Sequence, residues 1–238
     1  MTPTDSASTA PMARDRARTI AATFSPRHPL GNRHDYYSSR SKLGSDPLYP
    51  GVCDALRGST APLLDLGCGL GLLAHALRAD GIGLSYRGVD NDRAKIARAR
   101  GAAQDLPGVT FEHVDLAAPD FPLASLGHRG SVAILDVLQF IPPGAQDRTL
   151  DAAIAMLTPG ARMVIRTGLD DGGTRARITR AVDMLSKLLG WMNAGPTRYP
   201  DADALRARFD GAGLVSEFTP LHGKTPFNNW RVVASKPE

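Results

Sequence analysis

The stretch Leu63-Leu64-Asp65-Leu66-Gly67-Cys68-Gly69-Leu70-Gly71-Leu72-Leu73 constrains this chain more than any other. An apolar strand runs into a glycine turn, and the turn runs into a helix. Glycines at Gly67, Gly69 and Gly71 tolerate positive φ and carry no Cβ, so the backbone can turn sharply and a ligand can approach the main chain. The dinucleotide fingerprint GxGxxG needs a third glycine where Leu72 stands, so that spacing fails. A carboxylate at Asp65, just before the first glycine, would repel a pyrophosphate and attract a cation. The pattern therefore points to a phosphate-free, positively charged cofactor.

Asp65-Leu66-Gly67-Cys68-Gly69-Leu70-Gly71 resembles the first motif of class I S-adenosylmethionine-dependent methyltransferases. The resemblance implies a Rossmann-like, doubly wound α/β sheet of seven strands, mostly parallel with an antiparallel last strand, over residues 34–238. It also implies S-adenosylmethionine as the cofactor. The rest of the chain supplies the landmarks in order. Leu84 to Val89 reads as a buried strand ending at Asp90, where Rossmann-type folds place the acid that accepts ribose hydroxyls. Asn91 reads as the cap of a surface helix from Asp92 to Arg100. Val109 to Val114 reads as a third strand, delivering Asp115 and Leu116, where the family often places an acid against the adenine amino group. Ser131 to Leu135 reads as a central strand that brings Asp136 to the carboxyl edge of the sheet. By analogy, Gly67, Cys68, Gly69 and Gly71 admit the methionine part of the cofactor, Asp65 lies near its ammonium, and Asp136 supports it.

The remaining elements alternate. Apolar stripes predict helices from about Asp46 to Arg57, Leu72 to Ala79, Ala145 to Leu157 and Ala202 to Ala212, the last capped by Asp201. Strands are expected at Ala161 to Thr167, Leu214 to Thr219 and Trp230 to Ser235. Between about 170 and 200 the alternation loosens into an insert with an apolar-striped helix from Arg175 to Leu189, a candidate substrate lid. The segment 221–230 is too long for a minimal hairpin turn and reads as a structural loop.

Asp136-Val137-Leu138-Gln139-Phe140-Ile141-Pro142 resembles the family's fourth motif, in which the position of Gln139 often carries a histidine facing the substrate. Glutamine is no base. A proton acceptor, if one is used, would be Tyr37, His34 or His222. A carboxylate cluster of Asp136 with Asp170 or Asp171 could hold Mg²⁺, but the reaction class requires no metal, and none is assigned. Two cysteines, one inside the glycine turn, form no disulfide framework and suit a reducing cytoplasm. No apolar run is long enough to span a bilayer.

Charge separates the function classes further. The net charge is +4, yet residues 1–40 hold six arginines against three aspartates, so most of the excess lies in the leader. Residues 1–33, rich in Thr, Ser, Ala and Arg, are expected to be a disordered basic leader. With aromatics at 6%, a stacking nucleic-acid groove is not supported. The expected activity is methyl transfer to a small molecule that could carry an acyl or aromatic part. Two alternatives stand beside it: a non-catalytic S-adenosylmethionine-binding protein and a nicotinamide-dependent oxidoreductase. The sequence does not fix an oligomeric state.

Overall fold

The computed structural model describes residues 10–26, 28, 30–118, 123–169, 197–223 and 228–238. Within these, helix α1 is Arg14–Ala22, α2 His34–Ser45, α3 Leu48–Leu56 and α4 Leu72–Ala79. Helices α5 (Arg93–Ala102), α6 (Pro143–Met156) and α7 (Ala202–Gly211) follow among the strands. The strands are β1 Leu63–Leu66, β2 Tyr86–Asp90, β3 Val109–His113, β4 Ser131–Leu135, β5 Arg162–Gly168, β6 Val215–Pro220 and β7 Asn229–Ser235.

The seven strands form one sheet in the order β3-β2-β1-β4-β5-β7-β6. β1 sits between β2 and β4 and pairs parallel with both, Leu63 standing beside Tyr86 on one side and Ser131 on the other. β7 is antiparallel to both β5 and β6. The order reverses between β1 and β4, which opens a crevice at the carboxyl ends of the strands.

Period-2 alternation sends the strand residues to two cores. Leu63, Tyr86, Phe111, Ala133 and Val164 pack with α1, α3 and α4 on one face. Leu64, Leu66, Val89, Val132, Ile134, Met163 and Ile165 pack with α6 and α7 on the other. This is why the central strands read as unbroken apolar runs. The same alternation puts Asp65 on the face of Leu63 and Tyr86.

Long polar side chains tie the layers together. Arg162 Nη1 donates to Ala55 O at 2.7 Å and Arg57 O at 3.0 Å, placing a cation on the last carbonyls of α3. Buried Arg231, on β7, donates to Gly51 O at 2.9 Å, joining that strand to the middle of α3.

Three differences from the sequence reading stand out. The leader is not disordered throughout: α1 buries Ala17, Ile20 and Ala21, and Phe24 stacks edge-on against His75 of α4 at 5.3 Å. Those four residues form a helical stripe, but two are alanines, so the amphipathic signal is weak. Helix α2 was not expected, because its sequence HDYYSSRSKLGS is polar and buries only Ser39 and Leu43. Asp92, and not Asn91, caps α5, its Oδ1 accepting from Ala94 N at 2.9 Å and Lys95 N at 3.0 Å. The expected lid helix at 175–189, Asp170 and Asp171, and residues 224–227 of the 221–230 loop lie outside the described residues.

Candidate active site

The carboxyl ends of β3, β2, β1 and β4 deliver the sequence-predicted acids to one edge. At β1 the chain leaves the sheet through Gly67, whose N and that of Cys68 both donate to Val89 O, at 2.7 and 2.9 Å. Gly67 (φ 82°), Gly69 (φ 56°) and Gly71 (φ 75°) are all left-handed, but for different reasons. A Cβ at Gly67 would run into Val137 Cγ2, and one at Gly71 would lie 2.5 Å from Phe111 Cζ. A Cβ at Gly69 would meet nothing within 4 Å. The outer two glycines thus allow close packing, and the middle one leaves its main chain open. Leu72, where a dinucleotide turn would carry its third glycine, is buried at the start of α4.

Beside this turn lies a cleft of about 200 Å³ lined by residues of the turn itself, by Asp65, by Ser39 and Lys42 of α2, and by Tyr49 of α3. Asp65 is only 2% exposed. Its Oδ2 accepts from the Tyr86 hydroxyl at 2.5 Å, while its Oδ1 has no hydrogen-bond partner among the described residues. Burial pushes the Asp65 carboxyl up to about 7, against the lowering effect of the Tyr86 bond. A buried acid with one idle oxygen is a receptor for a cation.

Asp90 is spent differently. Its Oδ2 accepts from Gly69 N and its Oδ1 from Asp92 N, both at 2.9 Å, so the acid braces the glycine turn against the start of α5. Each oxygen retains a second lone pair. Asp115 is exposed and holds Ala117 N at 2.9 Å, Leu116 is buried in the core on the opposite face of the sheet, and Asn91 is exposed with its carbonyl near His113 Nε2.

Asp136 stands just after β4 with a left-handed backbone, φ 59°. Both its oxygens accept from Arg166 Nη1, and Oδ2 also accepts from Lys42 Nζ at 2.9 Å. Arg166 Nη2 reaches Asp46 Oδ2 at 3.0 Å. Burial would raise the Asp136 carboxyl, but the Arg166 guanidinium and the Lys42 ammonium outweigh it and hold the carboxyl far below its ordinary value. Asp136 is therefore engaged with protein cations at the edge of the cleft.

The four candidate catalytic residues do not line the cleft. His34 has its side chain 76% exposed beside Asp35, and Tyr37 is exposed and packs edge-on against Tyr36. Gln139 is buried, its Oε1 accepting from Thr167 Oγ1 at 3.0 Å. His222 is half-buried, with Nδ1 3.0 Å from Gly223 O. Burial raises the Cys68 thiol, so it is no thiolate at neutral pH.

Sequence reasoning missed Tyr86, Ser39, Lys42, Tyr49, Asp46 and Arg166. One signal was present: Arg166 interrupts an otherwise apolar buried strand, and a buried guanidinium demands carboxylate partners.

Comparison with known families decides what this edge belongs to. Residues 64–163 match the family model described as a methyltransferase domain. Those residues form a methyltransferase domain, and the chain is similar to the class I S-adenosylmethionine-dependent methyltransferases. A ubiquinone biosynthesis O-methyltransferase from Xylella fastidiosa is 28% identical over 143 residues, covering 60% of this chain and 50% of that protein. The chain thus matches about half the length of these curated relatives. Among solved structures, an O-methyltransferase family protein from Burkholderia thailandensis superposes with a TM-score of 0.63 at 16% identity, covering 94% of this chain and 69% of that one. The magnesium protoporphyrin IX methyltransferase of Synechocystis PCC 6803, solved with bound SAH (S-adenosylhomocysteine), superposes with a TM-score of 0.59 at 20% identity over 93% of both chains.

The residues of the methyltransferase domain fit its cofactor. The idle Asp65 Oδ1, the open main chain at Gly69 and the spare lone pairs of Asp90 suit, in that order, an ammonium, a close-lying ligand backbone and ribose hydroxyls.

Proposed function

We propose that this chain transfers a methyl group from S-adenosylmethionine to a small-molecule acceptor. The observation that carries the reading is Asp65: a fully buried carboxylate, against the glycine turn, with one oxygen lacking any partner among the described residues. Such an atom costs stability unless a ligand donates to it. The cofactor, when bound, supplies an electrophilic methyl on a sulfonium. The chain's own part is to bind, orient and exclude water. Asp65 receives the ammonium, Gly69 lets the ligand lie against the main chain, and Asp90 receives ribose hydroxyls while holding the turn. Asp115, exposed at the end of β3, stands at the adenine end.

The acceptor side is framed by Asp136 to Gln139. The Gln139 amide cannot take up a proton, and its carbonyl accepts from Thr167. Tyr37 and His34 stand outside the cleft. This supports an acceptor whose nucleophile needs no strong base from these side chains, such as a carboxylate, an ionised phenol or an amine. The relatives that act in ubiquinone biosynthesis and on magnesium protoporphyrin IX support a small molecule with an apolar or aromatic part.

The test is calorimetric titration with S-adenosylhomocysteine and with NAD, followed by an acceptor screen using labelled methyl donor. Saturable binding of the thioether and label transfer to a small molecule are expected. Binding of NAD alone would favour an oxidoreductase. Cofactor binding with no transfer across the screen would favour a non-catalytic ligand-binding role.

A further inference from the structure

A second cavity opens where α2 packs against α1, on a different face of α2 from the one that carries Ser38, Ser39 and Lys42 to the cofactor cleft. It measures about 360 Å³, within the range of small-molecule sites. Arg14 and Ala17 of α1 line it, with Tyr37, Arg40, Ser41 and Gly44 of α2 at helical spacing.

The groove carries two positive charges and no carboxylate. Elsewhere Arg16 and Arg57 share Asp80, Arg98 meets Asp35 and Arg208 meets Asp147, yet Arg14 and Arg40 have no ion pair or hydrogen-bond partner among the described residues. The nearby acids do not compensate: Asp15, next to Arg14 in the chain, lies outside the lining, and Asp35 is held by Arg98 at 2.6 Å. The carbonyls at the end of α2, which would repel an anion, are already spent. Ser41 O accepts from Ser45 Oγ at 2.8 Å, Lys42 O from Asp46 N at 3.1 Å and Leu43 O from Met12 N at 3.1 Å.

The floor of the groove is built from small residues. A Cβ at Gly44 would meet only Ala17 Cβ among the described residues, at 4.0 Å, which is ordinary contact. Gly44 is not left-handed either, so neither packing nor backbone demands a residue that weakens a helix relative to alanine. What the glycine preserves is room.

We propose that this groove binds a small soluble phosphate monoester, with Arg14 and Arg40 on the phosphate, Ser41 donating beside them and Tyr37 against the organic part. Two guanidinium forks from two helices match a dianion with three free oxygens, whereas a lone carboxylate needs only one fork. Tyr37 is 56% exposed, so its ring offers apolar surface at the rim. The site shares no lining residue with the cofactor cleft and stands apart from the S-adenosylmethionine reading.

The probes are inorganic phosphate and phenyl phosphate, titrated by calorimetry into the full chain and into Arg14→Gln, Arg40→Gln, Tyr37→Ala and Arg18→Gln. Phenyl phosphate should bind at one saturable site and more tightly than inorganic phosphate. Arg14→Gln and Arg40→Gln should each weaken both probes about 10-fold, the scale of a charge-assisted hydrogen bond, and added salt should weaken them further. Tyr37→Ala should cancel the advantage of the phenyl group. Arg18→Gln removes the same charge from an exposed position of α1 outside the groove, and should move neither Kd by more than about twofold. All four variants should unfold at the wild-type temperature and bind S-adenosylhomocysteine as the wild type does. A loss in Arg18→Gln equal to that in Arg14→Gln would reduce the effect to general attraction of anions and overturn the site. So would an absence of saturable phenyl phosphate binding in the wild type, or an affinity unchanged in both groove arginine variants. Equal affinity for the two probes, unmoved by Tyr37→Ala, would overturn the monoester assignment. Sedimentation with phosphatidic acid vesicles, lost in Arg14→Gln and Arg40→Gln, would move the phosphate to a lipid and overturn the soluble ligand.

Discussion

Asp65→Asn should separate stability from binding. In the folded chain the Asp65 carboxyl is raised from 3.8 to about 7 by burial. A raised carboxyl means that the folded state holds its proton more tightly than the unfolded state does. Stability is therefore complete below about pH 4 and is lost as pH climbs towards 7, with the full cost present above it. About three units at 1.36 kcal/mol each set a ceiling of roughly 4 kcal/mol on that cost. Asparagine keeps an acceptor for the Tyr86 hydroxyl and removes the charge. Its amide nitrogen, left without a partner, takes back about 1–2 kcal/mol. The ligand-free variant should then be more stable than wild type by about 2 kcal/mol at pH 8, a rise in Tm of about 4–8 °C for a chain of this size. At pH 4, where the wild-type carboxyl holds its proton and the linkage cost is gone, the idle amide should leave the variant less stable than wild type by about 1–2 kcal/mol. The assay is thermal unfolding across pH 4–8, with and without S-adenosylhomocysteine. The ligand should raise the Tm of wild type at pH 8 and leave that of Asp65→Asn almost unmoved. A variant that is less stable than wild type at pH 8, or one that ligand still protects fully, would refute the picture of a buried, half-satisfied anion awaiting a cation.

Four further outcomes follow from the same geometry. Affinity of wild type for S-adenosylhomocysteine should rise between about pH 5 and 7 and level above it, because the ligand's ammonium needs the ionised Asp65; Tyr86→Phe, which removes a bond that lowers the Asp65 pKa, should move that rise to higher pH. Asp90→Ala should weaken the same ligand at least about 10-fold in calorimetry and loosen the glycine turn, because Gly69 N loses its acceptor. Gly67→Ala, at φ 82° and against Val137, should cost about 2 kcal/mol or more in chemical denaturation, with Val137→Ala in the same chain recovering part of it. Arg166→Met should cost about 3–5 kcal/mol, since Asp136 and Asp46 lose their buried cation.

What could be read from the sequence was the part in which local chemistry and final position coincide. The run Leu63 to Leu66, the positive-φ glycines and the acid at the end of the next strand are each fixed within a few residues of chain, and all stand where expected. Asp201 likewise caps α7, accepting from Ala204 N at 2.8 Å. The ion-pair network of Lys42, Asp136, Arg166 and Asp46 was not legible, because it is assembled by contacts across long stretches of chain. Lys42 meets Asp136 across 94 residues, and Asp46 meets Arg166 across 120. Helix α2 carries little apolar patterning, since one of its buried positions is a serine, and α1 hides its stripe in alanines. The exchange of Asn91 for Asp92 as the α5 cap turns on a single residue, where both types are good caps. His34 and Tyr37 drew attention as titratable groups near the start of the domain, but α2 turns them to solvent.

The most direct measurement is a calorimetric titration of the full chain with S-adenosylhomocysteine at pH 8, repeated with NAD. The account predicts one saturable site for the thioether, lost in Asp65→Asn, and no heat from NAD. Saturable NAD binding with none for S-adenosylhomocysteine would contradict it.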